Sequence, residues 1–133
     1  MKMKCEFDNE ITLKALNLLH RDILLGDAEA QEVGIGTLVQ LVRYFARRSG
    51  QGTLAEEAEN LERTAVFLTA GGELRQCVFP DPAALPVRCV ERFSVFSACY
   101  EALRRGIRAG EDAFCVQYDE AAETLAVKVM EQP

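Results

Sequence analysis

The stretch VRCVERFSVFSACYEALRRGI, from Val87 to Ile107, is the longest segment of this chain with a helical pattern. Its apolar residues recur at spacings of three and four, which places them along one face of a helix. They are Val90, Phe93, Phe96 (or Ser97), Tyr100, Leu103 and Ile107. Asp81-Pro82 ahead of the stretch is typical of a turn, and Gly106 and Gly110 are typical of the end of a helix. The pattern predicts an amphipathic core helix inside a strand–helix–hairpin unit.

Three strands are predicted around this helix. Residues 74–79 precede it and read as one strand. After it, residues 114–118 and 125–129 alternate apolar with smaller or polar side chains, which is the pattern of strands with one buried face. Residues 119–124 are expected to turn between them. The predicted order is therefore three helices followed by a β-α-β-β unit.

Two helices are predicted at the start of the chain, and the short connection Gly26-Asp27 makes them an antiparallel hairpin. The first is capped by Asp8 or Asn9 and runs to about Leu25. Its apolar residues cover more than one face, so we expect it to be buried on two sides, the second by a partner chain. Two such hairpins make a four-helix bundle.

The second helix of the hairpin is predicted from about Ala28 to Arg48. Gly34 and Gly36 either weaken this helix locally or allow a close approach to the first helix. Its expected buried stripe consists of Ile35, Leu38, Val42, Phe45 and Ala46.

A third helix is predicted after the short linker 49–52. Thr53-Leu54-Ala55-Glu56 has the form of a capping box, and Gly71-Gly72 ends the helix. The acidic residues of its first turns are predicted to form a solvated helix start, where negative charge suits the dipole, rather than a metal site. They are Glu56, Glu57 and Glu59.

The length, composition and net charge of the chain limit the classes of function that it can have. The chain has 133 residues, 49% of them apolar, and is expected to be one domain or two small units sharing a core. A net charge of -6 offers no electrostatic reason to bind nucleic acid or an anionic membrane. Neither a signal peptide nor a stretch as long as a membrane span is visible. The five cysteines form no CxxC pair, so we expect free, mostly buried thiols in a reducing cytoplasm.

His20 is the single histidine and the candidate phosphoacceptor. Phosphorelay proteins phosphorylate a histidine that is exposed on a helical hairpin, with a nearby acid that orients the imidazole and raises its basicity. Asp22 and Asp27 are close in sequence, but residues two apart do not share a helix face. A surface histidine without a role is the other interpretation.

The order of these segments, over most of the chain, resembles sensor histidine kinases of the autolysin-sensor (LytS-like) group. That group has motifs of the form L-x-R-Y-x-L-R and T-L-x-E-E-L, and residues 41–47 (LVRYFAR) and 53–58 (TLAEEA) are similar to them. Asp81-Pro82 matches a D-P dipeptide ahead of the group's nucleotide-site helix. Residues 99–106 (CYEALRRG) lie in the place of that helix's motif, V-E-N-A-I-K-H-G.

The chain differs from this group at the positions whose residues carry out the group's chemistry. Glu10 lies in the place of the phosphoacceptor histidine, and a carboxylate cannot form phosphohistidine. Tyr100 and Glu101 stand where the group has a glutamate and a metal-binding asparagine, and no shift of register supplies an asparagine. Glu131 and Pro133 replace the aspartate and glycine that would meet adenine, and the sequence stops before a glycine-rich lid. The resemblance therefore implies that ATP is neither bound nor hydrolysed, and it implies no cofactor and no metal.

The predicted fold is α+β: an N-terminal helical hairpin (9–48), expected to form a dimeric four-helix bundle, followed by a truncated histidine-kinase-like α/β sandwich (53–133). The resemblance implies a non-catalytic, cytoplasmic homodimer that acts as an adaptor or modulator in bacterial two-component signal transduction. A response regulator or a sensor kinase is the expected partner, docked on the hairpin around His20. The alternatives are a phosphotransferase that passes phosphate through His20 and a purely structural dimer.

Overall fold

The computed structural model describes residues 5–47 and 50–130, which form an α+β fold with four α-helices and two small sheets. This confirms the α+β class. The elements are α1 (Asp8–Leu25), α2 (Ala28–Ala46), β1 (Gln51–Thr53), α3 (Leu54–Ala70), β2 (Gln76–Val78), β3 (Cys89–Glu91), α4 (Ser94–Arg108), β4 (Ala113–Asp119) and β5 (Thr124–Val129). Among these residues, no helix combines the length and the apolar character that crossing a membrane requires.

The three predicted strands form one sheet in the order β2–β4–β5. β2 runs parallel to β4, and β4 runs antiparallel to β5, with Phe114 opposite Val129 and Asp119 opposite Thr124. A second sheet was not predicted. It pairs β1 with β3 in antiparallel register, with Thr53 opposite Cys89. Two segments far apart in sequence thus meet at the start of α3.

The central helix begins later than the sequence predicts. Residues 89–91 belong to β3, and Phe93 has a left-handed backbone with φ of 73° immediately before α4 begins at Ser94. The prediction of a helix from Val87 is therefore wrong, because the pairing with β1 holds this segment extended. From Phe96 onward the predicted stripe is confirmed, since Phe96, Tyr100 and Leu103 are fully buried.

The start of α1 differs in detail from the prediction. Phe7 occupies the N-cap position, and no side chain caps the helix there, so the predicted cap at Asp8 or Asn9 is wrong. The cap of α3 is confirmed, because the Thr53 hydroxyl accepts a hydrogen bond of 3.1 Å from the Glu56 backbone N–H.

The buried face of α2 is rotated from the predicted stripe. Phe45 is buried as expected, but Ile35 and Val42 are exposed. The buried positions are Gly34, Leu41, Tyr44 and Phe45. Arg48, the predicted end of this helix, lies outside the described residues.

α1 and α2 pack closely at Gly34. A Cβ atom added there would lie 2.8 Å from Cδ2 of Leu19, so the interpretation of this glycine as a close-approach position is confirmed. Nearby, the Gln31 amide donates a hydrogen bond to the Asp22 carbonyl. The two helices continue into a core that draws buried side chains from every helix and from the three-stranded sheet.

The contact of α4 with β4 is tested by adding one methyl group. Gly106→Ala would place a Cβ atom against the edge of the buried Phe114 ring, closer than van der Waals contact allows, so we expect a loss of about 1–3 kcal/mol in the free energy of unfolding. Gly36→Ala is the matched control, because its Cβ would meet nothing and should stabilise α2 by roughly 0.5–1 kcal/mol. Urea unfolding followed by circular dichroism measures both. Equal stability of the two variants would contradict the packing.

Candidate functional site

A buried carboxylate joins three helices at the centre of the molecule. Glu57, on α3, is 1% exposed. Its Oε2 accepts a hydrogen bond from the Tyr44 hydroxyl of α2, and its Oε1 accepts from the backbone N–H groups of Val95 (3.2 Å) and Phe96 (3.3 Å) in the first turn of α4. The prediction that Glu57 is solvated is therefore wrong, because the N-terminus of α4 lies over it.

The protonation of this pair follows from its burial. Burial raises the pKa of Glu57, although the hydrogen bonds from Tyr44 and from the α4 backbone act in the opposite direction. Burial and the neighbouring Glu57 charge raise the pKa of Tyr44, which keeps its hydroxyl protonated as the donor. Arg92 lies over the Tyr44 ring at 5.8 Å. We interpret this cluster as a structural joint, since both oxygens of Glu57 already have partners.

A second polar cluster joins α1 to α4. The Tyr100 hydroxyl donates a hydrogen bond of 2.5 Å to Oε2 of Glu10, and Arg104 forms an ion pair of 3.2 Å with Oε1 of the same carboxylate. Burial, followed by the hydrogen bond to Glu10, raises the pKa of Tyr100. Two of the positions that depart from the kinase pattern, Glu10 and Tyr100, are therefore in direct contact.

The charged side chains around the Glu10–Tyr100 contact also form ion pairs. Arg104 has a second carboxylate partner, Glu101, at 3.0 Å, and Lys14 lies 2.6 Å from Glu73. A cavity of about 220 Å³ between α1, α4 and the end of α3 is lined by Lys14, Glu73, Arg104 and Arg108. Glu101 therefore lies on the rim of the cluster rather than beside the Tyr100 hydroxyl. The other two departing positions, Glu131 and Pro133, lie outside the described residues.

His20 is exposed on α1, away from both clusters. Asp22 is buried and forms an ion pair of 3.3 Å with Arg21, so it turns toward the interior. This confirms that His20 and Asp22 do not share a helix face. The exposed position of His20 leaves its imidazole accessible in a single chain.

An apolar groove, here called the tip groove, opens between the end of α1, the start of α2 and the end of α3. Its volume is about 360 Å³. Its apolar lining consists of Leu18, Leu19, Ala30, Val33, Gly34, Val66, Phe67 and Ala70. Asp22, Asp27 and Glu29 outnumber the single cation, Arg21, around it. The groove combines apolar walls with an acidic rim, and nothing in the sequence pattern predicted it.

The five cysteines are all free thiols. Cys5 and Cys99 are buried, Cys77 and Cys115 are half-buried, and Cys89 is exposed, so the expectation of mostly buried thiols holds only in part. Burial raises the pKa of Cys5 and of Cys99 to about 11 and that of Cys77 to about 12. These three thiols are therefore poor nucleophiles at neutral pH. Within residues 5–47 and 50–130, no group of three metal-binding side chains comes together.

Comparison with known proteins identifies no relative: no family model, no curated protein and no solved structure matches this chain.

The Glu57 joint is tested by Glu57→Gln. Since both carboxylate oxygens accept hydrogen bonds, the new amide group must face either the Tyr44 hydroxyl or the N-terminus of α4. We expect a loss of about 1–3 kcal/mol in the free energy of unfolding, measured by urea denaturation. Glu59→Gln, on the same helix, should change it by less than about 0.5 kcal/mol. Indistinguishable variants would show that the joint contributes nothing specific.

The same pair of variants has a pH dependence of defined sign. Burial raises the pKa of Glu57 above its ordinary 4.5, so the folded chain holds this proton more tightly than the unfolded chain. The stabilisation is complete below about pH 4.5 and is lost as the pH rises through the folded pKa. The free energy of unfolding of the wild type, relative to Glu57→Gln, should therefore decrease as the pH rises above 4.5. A constant difference would contradict this assignment.

Proposed function

We propose that this chain is a non-catalytic protein similar to sensor histidine kinases, which acts as an adaptor or modulator in bacterial two-component signalling without binding ATP. The observation that carries the proposal is the contact of Glu10 with Tyr100 and Arg104. It joins the position of the phosphoacceptor to the position of the nucleotide-site helix. A carboxylate there accepts a hydrogen bond and an ion pair but cannot carry phosphate on nitrogen.

The electrostatics of this contact oppose a nucleotide. A triphosphate is held by cations that have charge to spare. Arg104 is already neutralised by Glu10 and Glu101, and Lys14 by Glu73. Arg108 also lines the cavity and forms no ion pair with any residue that the structure describes. A triphosphate entering the cavity of about 220 Å³ would meet these carboxylates and would have to displace them. Two of the three cations that line the cavity are therefore already paired and are not free to hold a triphosphate.

The tip groove is the surface that best suits a protein partner. The docking surface expected on the hairpin lies around His20 and the exposed faces of Glu10 to Arg21. Within it, the Glu10 side chain turns inward to α4, whereas His20 is exposed. The tip groove instead offers exposed Val33 and Val66 beside Asp27 and Glu29. We propose that it receives a segment of a response regulator or sensor kinase that carries apolar side chains flanked by Lys or Arg. Opposite charges at the rim favour encounter and orientation, and apolar burial supplies most of the affinity.

The proposal includes a homodimer formed by α1 and α2, as a four-helix bundle. Five exposed large apolar side chains of α1 and four of α2 support it, because so many on one helix pair are expected to be covered.

The absence of nucleotide binding is tested by calorimetry. Titration of the wild-type chain with Mg-ATP should give no heat beyond dilution, because two of the three cations that line the cleft are already paired with carboxylates. Arg104→Ala serves as a matched variant that locates any binding. Micromolar binding by the wild type that Arg104→Ala abolishes would place a nucleotide at the α1–α4 cleft and would overturn the proposal.

The docking surface is tested with purified receiver domains and kinase cytoplasmic domains from the same cell. Val66→Arg introduces a cation into the tip groove, so it should weaken the binding of a basic, apolar segment at least tenfold, which is about 1.4 kcal/mol. Val87→Arg is the matched control, because Val87 is fully exposed outside the groove. Biolayer interferometry measures both variants. Equal weakening by both, or no partner at all, would contradict the proposed docking and favour the purely structural dimer.

Phosphotransfer through His20 is the second candidate function, and the exposure of His20 favours it. The same receiver domains, phosphorylated beforehand, distinguish the two functions by intact mass. A gain of one phosphate on this chain, lost in His20→Ala, would make it a phosphotransferase. A stable complex without such a gain agrees with the adaptor.

A further inference from the structure

Arg92 carries a buried guanidinium group whose hydrogen bonds are incomplete. It follows β3 directly and is 6% exposed. Its Nε has no hydrogen-bond partner among residues 5–47 and 50–130. Its Nη2 lies 4.0 Å from Oε2 of Glu56, which is close enough for an ion pair but too far for a hydrogen bond. A buried charged donor without a partner is rare in folded proteins, so this group calls for an explanation.

The two incomplete donors lie on one edge of the guanidinium. In arginine, the N–H of Nε and one N–H of Nη2 point in the same direction, and this edge binds two oxygens of a carboxylate or a phosphate side by side. Glu56 balances the charge of this edge without forming a hydrogen bond to either nitrogen. The edge therefore retains its capacity for a bidentate contact with an oxyanion.

This edge of Arg92 lies at the start of α3. Glu56 belongs to the first turn of α3, and Gly52 precedes the helix by two residues. A Cβ atom added at Gly52 would lie 3.2 Å from Oε2 of Glu56 and 3.9 Å from Nη2 of Arg92. Because glycine leaves this space open, both charged groups lie over the backbone that leads into α3. We call Gly52, Glu56 and Arg92, together with the N-terminus of α3, the Arg92 site.

The position of the guanidinium is fixed from its other sides. Its carbon atom lies 5.8 Å from the centre of the Tyr44 ring, so the ring supports the cation. The Arg92 backbone N–H donates a hydrogen bond to the Gly50 carbonyl, which holds the main chain beside β1. The buried Glu57 carboxylate does not serve as an acceptor for Arg92, because its oxygens already accept from Tyr44 and from the start of α4. The acceptor for the open edge therefore has to come from the side of Glu56.

Glu56 is the anion that the Arg92 site holds within a single chain, and it is replaceable. Its side chain is 45% exposed, so it can turn into the solvent without breaking a hydrogen bond to Arg92. The start of α3 does not depend on its carboxylate either, since the Thr53 hydroxyl caps the Glu56 N–H. The positive end of the helix dipole favours any anion that takes the place of this carboxylate.

We propose that the Arg92 site binds a tetrahedral oxyanion, either free phosphate or the phosphoryl group of a phosphorylated partner, which displaces the Glu56 carboxylate. Two of its oxygens accept hydrogen bonds from Nε and Nη2 of Arg92, and a third faces the N-terminus of α3. A phosphoryl group carries about 1.5 to 2 negative charges at neutral pH, against one for the carboxylate that it replaces. Mg-ATP is not such a ligand, because the metal ion already neutralises its terminal phosphates.

This proposal goes beyond the proposed function and does not rest on it. The Arg92 site lies beside the first turn of α4, whereas the cavity at Arg104 lies farther along that helix. Binding at the two places is therefore distinguished by variants of Arg92 and of Arg104.

Isothermal titration calorimetry with inorganic phosphate, at constant ionic strength, tests the proposal. Glu56→Gln removes the competing charge and should bind phosphate roughly tenfold more tightly than the wild type. Glu62→Gln is the matched control, because it removes the same charge from an exposed position about 9 Å farther along α3, and it should bind like the wild type.

Two further variants test the geometry of the site. Arg92→Lys keeps the charge but loses the bidentate edge, so binding should weaken about tenfold. Gly52→Ala places a methyl group in the space between Glu56 and Arg92, so it should weaken binding at least about threefold. Circular dichroism shows whether each variant is folded, and Gly52→Ala carries the test if Arg92→Lys does not fold.

Phenyl phosphate distinguishes the two sources of the oxyanion. Binding of both probes with the same order of variants assigns a phosphoryl group on a larger molecule, and binding of inorganic phosphate alone assigns the free ion. The proposal is overturned if the folded wild type binds neither probe at about 10 mM. It is also overturned if Glu56→Gln binds no more tightly than Glu62→Gln, or if the folded Arg92 and Gly52 variants bind like the wild type.

Discussion

The Glu57 carboxylate is the contact on which the arrangement of the helices depends. A carboxylate with 1% exposure loses its hydration, which costs several kcal/mol unless the lost hydrogen bonds are replaced. Here they are replaced by the Tyr44 hydroxyl and by the backbone N–H groups of Val95 and Phe96. The geometry of these donors ties α2 and the first turn of α4 to α3. Because the three donors come from two helices, neither helix can shift along α3 without leaving a buried oxygen unsatisfied.

The position of α4 then determines the second polar cluster. Tyr100 and Arg104 follow Phe96 by one and two turns, so they lie along the same helix face. The first turn of α4 is held on Glu57, and this brings both side chains to Glu10 of α1. The ring of Phe7 adds an apolar contact, with its centroid 4.9 Å from that of Tyr100. The orientation of α1 thus depends, through α4, on a carboxylate of α3.

The sequence predicted what depends on local pattern. The bounds of α1 and α3, the Thr53 cap and the alternation in β4 and β5 follow from spacing and turn residues. It missed the start of α4, because the pairing of β3 with β1 joins residues far apart in the chain. It also missed the burial of Glu57, which looks like any acidic residue at a helix start until the N-terminus of α4 lies over it. Tyr44 lies in the motif 41–47 and Glu57 in the motif 53–58, so these two motifs were the sequence signal for the contact between them.

The sequence identified individual residues of the candidate site but not the contacts between them. The resemblance marked Glu10 and Tyr100 as departures from a reactive pattern, and it remains a resemblance, since no family model, curated protein or solved structure matches the chain. That the two side chains meet could not be derived from spacing, because they lie on helices whose relative position depends on the core. The tip groove was likewise invisible, since its walls come from three helices.

The inner polar contact of α1 and its exposed apolar side are two consequences of one constraint. A helix with apolar residues on two sides can rotate between alternative packings, each burying a different stripe. Glu10 and Lys14 remove this freedom, because each is paired on the inner side, and rotating α1 outward would break the ion pairs with Arg104 and Glu73. Leu13, Leu16 and His20 are therefore kept on the outside. The ion pairs of Glu10 and Lys14 thus fix which side of α1 is exposed, and they present His20 to the solvent.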